Sequence, residues 1–281
     1  KVLFVASLFV ATAIFAQDGL TSKKGEAYLP EAGDWALGFD GTPFLDYAGN
    51  WFNGTTNNSV NATWVGNNPQ MTIVGKHFKD ETTAYRMKVR IGFGSTTVKN
   101  IHDTSTTTLT GEVTDEMKTS HFMLTLGGGI EKRRGNTRIQ GFYGGELLFA
   151  IGSSSESYTY ADNGSGSSTA ATPNLHQPTS FDFSAFGGNN ILGGNERVTE
   201  VANGSTMTLS LRGFIGVEWF LAPKVSVAAE YGWGLAMTSN GDGERDTESY
   251  ELATGAPAGS ESLIQRKHTT GGSSSFGIDT D

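Results

Sequence analysis

The chain has 281 residues and no cysteine, which excludes disulfides, thiolate nucleophiles, Cys-ligated zinc and lipid attachment through a cysteine. Its net charge is -9, and the only basic cluster is the short run Lys132, Arg133 and Arg134, too little for a nucleic-acid surface. With 38 Gly, 7 Pro, 37% hydrophobic and 17% charged residues, composition alone leaves the fold class open, and the pattern along the chain must decide it.

At the N-terminus, Lys1 precedes the apolar run "VLFVASLFVATAIFA", and the chain turns polar at Gln17. A run of about 15 residues is short of the ~20 that a membrane-spanning helix needs and suits the apolar core of a secretory signal. Cleavage is expected between Ala16 and Gln17; a buried N-terminal strand or an anchor helix is the competing reading.

Beyond this run no stretch approaches 18 apolar residues, and a period of two takes over. A first strand is predicted at about 34–47, interrupted by Pro43, and a second at about 70–78, where either face could be the apolar one. The third, at about 84–97, contains "YRMKVRIGFG": Tyr85, Met87, Val89, Ile91 and Phe93 alternate with Arg86, Lys88, Arg90, Gly92 and Gly94. The fourth, at about 119–131, sets Phe122, Leu124, Leu126 and Ile130 against Met123, Thr125, Gly127, Gly129 and Glu131. In the fifth, at about 137–152, Ile139, Tyr143, Leu147, Phe149 and Ile151 oppose Gln140, Gly144, Glu146 and Ala150. The sixth and seventh, at about 205–220 and 224–238, repeat the pattern, with Arg212 and Glu218, then Glu230, on the small-residue face. An eighth begins near "GGSSSFGIDTD" and is read as cut off at Asp281.

Short connections near residues 79–82, 132–137 and 221–224 alternate with long polar segments at roughly 53–69, 99–118, 153–205 and 239–270. The non-greasy face carries Gly, Ala, Ser and Thr with isolated charges, so that face is crowded rather than open to water. A narrow closed barrel has such an interior, with its apolar surface turned to lipid. Aromatic residues fall at the expected interfaces: Trp35, Phe78, Tyr85 and Trp219 beside the short turns, and Phe93, Phe149 and Trp233 toward the long segments.

With its signal, Gln17 at the mature start, period-two strands, Gly-rich interior and alternating loop lengths, the chain resembles the small eight-stranded outer-membrane barrels. Among these it resembles the OmpA transmembrane-domain and OmpX-like group, with a flavour of the related surface barrels of Bacteroidota. The resemblance implies an all-β, antiparallel up-and-down transmembrane β-barrel in a bacterial outer membrane, with short periplasmic turns and long extracellular loops. It divides the chain into a signal peptide at 1–16, an N-terminal periplasmic segment at 17–33 and the barrel at 34–281. Such barrels usually end in an aromatic residue on the last strand, whereas here the chain stops at "FGIDTD", a departure read as truncation.

Inside such a barrel, Arg86, Lys88, Arg90 and Arg212 need carboxylates, because lone buried cations are costly. Glu131, Glu146, Glu218 and Glu230 fall on inward faces, with Asp40 also assigned there, so an interior ion-pair network plugging the lumen is expected. The same charges could instead line a narrow solute channel.

Catalysis has little support: His102, His176 and His268 lie in loops, His121 lies at an outer strand end, and no nucleophile elbow is present. No cofactor or metal is expected. Asn240, Asp242, Glu244, Asp246, Glu248 and Glu251 follow calcium-loop offsets, but Arg245 stands where the turn needs Gly, and a solvated acidic loop is the plainer reading. Phe181, Phe183, Phe186, Ile191 and Leu192 form either a loop patch for a partner or a cluster packed on itself. The expected function is non-enzymatic: a plugged barrel whose partners are outer-membrane lipid and, through acidic loops, an envelope or extracellular protein. A porin-like channel and a barrel enzyme are the alternatives.

Overall fold

In a computed structural model, residues 20–39, 72–103, 112–160, 182–193, 196–251, 255 and 262–280 are described. They form one antiparallel sheet, and the single helical element among them is a short 3-10 turn, Phe183–Phe186. No helix among them is long and apolar enough to cross a membrane.

The strands are β1 (Trp35–Phe39), β2 (Ile73–Asp80), β3 (Thr83–Asp103), β4 (Glu112–Arg134), β5 (Ile139–Thr159), β6 (Ile191–Gly193), β7 (Glu196–Ala222), β8 (Val225–Asn240), β9 (Gly243–Glu251), β10 (Ser262–Thr270) and β11 (Ser273–Thr280). Eight of them follow one path, β1-β2-β3-β4-β5-β7-β8-β11, each hydrogen-bonded to the next. Tight turns join β2 to β3, β4 to β5 and β7 to β8, so these antiparallel neighbours follow the order of the chain.

The strands run well past the ends expected from periodicity. Much of what reads as loop at 99–118, 153–205 and 239–270 is a continuation of β3, β4, β5 and β7, or belongs to the β9–β10 hairpin. Alternation fades there because neither face is uniformly apolar, while Thr and Ser remain compatible with strand backbone. The first residues of β7 pair with β9 on one side and with β6, then β5, on the other, so the ladder extends beyond the apolar stretch.

The sheet is rolled. Arg86 on β3 and Glu230 on β8 lie four strands apart along the path, which in a flat sheet would separate them by ~19 Å. Their side chains meet at 2.6 Å. Rolling follows from the inward rungs, where large groups alternate with small ones. Arg86, Gly129, Glu146, Arg212 and Gly234 form one rung across β3, β4, β5, β7 and β8, and Ala84, Glu131, Gly144, Phe214 and Gly232 the next.

The expected closed barrel is therefore seen as a rolled sheet that is open at one seam. β1 pairs only with β2 and β11 only with β8, with no ladder between β1 and β11 among the described residues.

Residues 20–34 cross the short-turn end of the roll. Gly33 N donates to Phe78 O and Phe78 N to Asp34 O, which fixes the segment beside β2. Lys224, between β7 and β8, donates its amide to Tyr28 O and places its ammonium 3.0 Å from Asp34. Arg138, between β4 and β5, stacks on the Tyr28 ring at 4.2 Å and donates to the carbonyls of Phe220 and Leu221. Two turns and strand β2 are thus tied by one strap. Lys224 adopts φ 58, and Pro223 before it fits a type II turn, whose third position requires a positive φ.

Candidate functional site

Three groups of sequence-predicted residues fall among the described residues: the inward charges, part of the loop cluster and the candidate calcium positions. The inward charges form one connected network, because the period of two keeps every second residue of each strand on the concave face. In its lower layer, near the short turns, Arg133 Nη1 lies 2.6 Å from Glu131 and 2.7 Å from Glu218. Lys76 Nζ lies 3.0 Å from Glu131 and 3.3 Å from Glu218, and Ser226 Oγ donates to Glu218 at 2.5 Å. Arg133 spends its remaining donors on Gln140 Oε1, at 2.9 and 2.8 Å.

In the upper layer, Arg86 bridges Glu230 at 2.6 Å and Glu131 at 3.6 Å. Arg212 reaches Glu230 at 2.7 Å and Glu146 at 2.8 Å, while Lys88 lies 2.5 Å from Glu146. Every glutamate of the network therefore meets at least two cations, the condition under which charges withdrawn from water are tolerated. Arg90 is also buried on this face. Asp40 lies outside the described residues.

Aromatic rings fill the space between the ions. The Arg86 guanidinium sits 4.1 Å from the centre of Phe214, Lys76 Nζ 4.9 Å from Phe142, and Arg133 between Phe78 and Phe220 at 5.4 and 5.6 Å. These faces supply negative potential where no further carboxylate fits. The rings need glycine opposite them: a Cβ on Gly216 would meet the Phe142 ring and lie 2.5 Å from Ala229 O.

Sequence reasoning put Gln140 on the inward face without a partner, and missed Lys76, Arg133 and the inward placement of all four of these phenylalanines. Lys76 could have been found from register, since it pairs with Arg86 and must share its face. Arg133 was assigned to a turn, but β4 continues through Arg134 and turns Arg133 inward. Phe78 is a correction: it is buried at 2% exposure on the concave face, and its neighbour His77 takes the outer position, stacked with Tyr85 and 4.5 Å from Trp35.

The convex face is the chemical opposite. Tyr85, Met87, Val89, Ile91 and Phe93 are all exposed, Phe93 at 71%, and comparable residues on β4, β5, β7, β8 and β11 continue the belt. On the loop side the belt stops at serine on six strands: Ser95, Ser120, Ser153, Ser205, Ser239 and Ser274.

Of the loop cluster, Phe181 lies outside the described residues and the side chains of Ile191 and Leu192 are not described. Phe183 is fully buried, packed with Met117, Tyr158 and Val198, and so is turned away from any partner; Phe186 is exposed. The fold there is held by polar contacts: Phe183 N donates to Asn190, Asn190 to the Tyr160 hydroxyl, and Tyr160 to Val198 O. Burial, together with the hydrogen bond to Glu156, pushes the Tyr158 hydroxyl up to about 12, so it remains a donor at neutral pH.

The candidate calcium positions lie on and beside β9, an extended strand paired with β7 and β10, rather than in a loop curled around an ion. Among the described residues no group of three or more His, Asp or Glu could hold a metal. His268 stands 3.6 Å from Glu196, and the Thr247 hydroxyl donates to the same carboxylate.

No family model, curated protein or solved structure matches this chain. The reading of function therefore rests on the two faces of the sheet.

Proposed function

We propose that the chain is a non-enzymatic outer-membrane β-barrel in which the rolled sheet closes around its ion network, and whose extended strands carry acidic surface outward. The observation that supports this best is the inversion of polarity: charge is buried inside the roll while large apolar side chains cover the outside of six neighbouring strands. Water would disfavour such a surface, whereas a hydrocarbon layer matches it. From Tyr85 to Phe93 the belt spans eight residue steps, ~26 Å along the strand and roughly 20 Å after tilt, close to the ~25 Å band of such barrels.

The interior supports a plug rather than a passage, because each layer of ions and rings crosses from one wall to the other. The outer extension, with β9, β10 and the exposed Phe186, is the part left to meet an envelope or extracellular protein. Refolding from urea tests the reading. The chain should enter lipid vesicles, float with them and migrate differently on gels before and after heating; a chain that is monomeric and folded without lipid or detergent would refute the proposal.

A further inference from the structure

The convex face is not uniformly filled. Near the short turns, the outward rung Gly141, Val217 and Ala229 lies between the bulkier rungs Ile139, Trp219, Val227 and Tyr143, Ile215, Tyr231. The deficit in side-chain volume leaves a groove of 510 Å³, within the ~300–1,000 Å³ range of small-molecule sites. Its walls are Tyr143, Ile215, Val217, Ala229 and Tyr231, and Arg134, paired in register with Gly141, stands at its rim.

The charge at this rim is one-sided. Arg134 is exposed and makes no ion pair with any described residue. Glu230, the one carboxylate bordering the groove, is held by Arg86 and Arg212 on the concave side. Lys132, one outward rung from Arg134 on the same strand, donates to the Thr83 hydroxyl on β3, away from the groove, so Arg134 is the cation that faces it.

We propose that this groove holds an anionic glycerophospholipid: one acyl chain lies along Val217 and Ala229 between Tyr143 and Tyr231, and the phosphate meets the Arg134 guanidinium. An apolar channel suits methylenes, and a guanidinium fork matches phosphate oxygens in two parallel hydrogen bonds. The two tyrosines add ring surface beside the chain and hydroxyls at the polar boundary. This inference rests on the membrane reading above.

The test uses the full chain in nanodiscs of equal phosphatidylglycerol and phosphatidylcholine, with retained lipid measured by native mass spectrometry after mild detergent extraction. Wild type should retain phosphatidylglycerol over phosphatidylcholine by about tenfold, because both offer a phosphate but the choline cation competes for it and repels the Arg134 guanidinium. Arg134→Gln should lose that preference while still holding a lipid. Ala229→Phe, which fills the groove, should hold neither, and Val217→Trp on the neighbouring strand guards against a misfolded first variant. A protein that floats with vesicles but retains both lipids equally, or groove-filling variants that bind like wild type, would overturn the site alone. A protein that never floats overturns the membrane reading and this inference with it.

Discussion

Glu131 has no exposed surface and is bridged by Lys76, Arg86 and Arg133. Its worth to the fold comes less from the attraction itself, which desolvation largely offsets, than from the penalty of leaving three cations without it. Glu131→Gln keeps the shape and removes the charge. It should destabilise the folded protein by about 3–5 kcal/mol, seen as a lower urea midpoint, and Lys76→Met in the same chain should recover part of the loss. Full additivity of the two substitutions would mean that the residues do not act as one network.

The strap and the strands divide the labour at the next scale. The rolled strands wall the interior on all sides but the β1–β11 seam, while residues 20–34 cross the short-turn end through Arg138, Lys224 and Phe78. A backbone hydrogen bond from Glu31 and then the Lys224 ammonium hold the Asp34 carboxyl below its ordinary value. A depressed folded pKa contributes stability above the unfolded pKa and loses it as pH falls through the folded one. The stability difference between wild type and Asp34→Asn should therefore be present near about pH 6 and vanish on acidification to about pH 2, read from urea midpoints. Because these groups are exposed, the difference should be small and should shrink in high salt. A difference that persists unchanged in strong acid would place the strap's attachment elsewhere.

For the whole molecule, burying ions and exposing hydrocarbon amounts to a choice of solvent. In the proposed barrel, both the ion layers and the phenylalanines block the bore, so planar bilayers containing wild-type protein should show no discrete conductance steps. Steps that appear in wild type and change ion selectivity in Arg90→Ala would favour the channel reading over the plug. Leakage that appears only when Glu131 or Arg133 is replaced would instead locate the plug in the lower layer.

Much of this was legible from residue order alone. Period-two alternation is a local property of extended backbone, so "YRMKVRIGFG" identifies β3, its two unlike faces and its inward cations without reference to any other strand. The sign of the interior followed as well, since cations on a crowded face need carboxylates and Glu131, Glu146, Glu218 and Glu230 share that parity. Pairing was not legible, because which glutamate meets which arginine depends on register and curl. Lys76 joins Glu218 from 142 positions away only because the sheet rolls. Nor could alternation reveal where strands end once Ser and Thr replace the apolar residues, or that Phe183 turns inward while Phe186 stays exposed. Local chemistry set the faces of each strand; the curvature of the assembled sheet decided which of those faces meet.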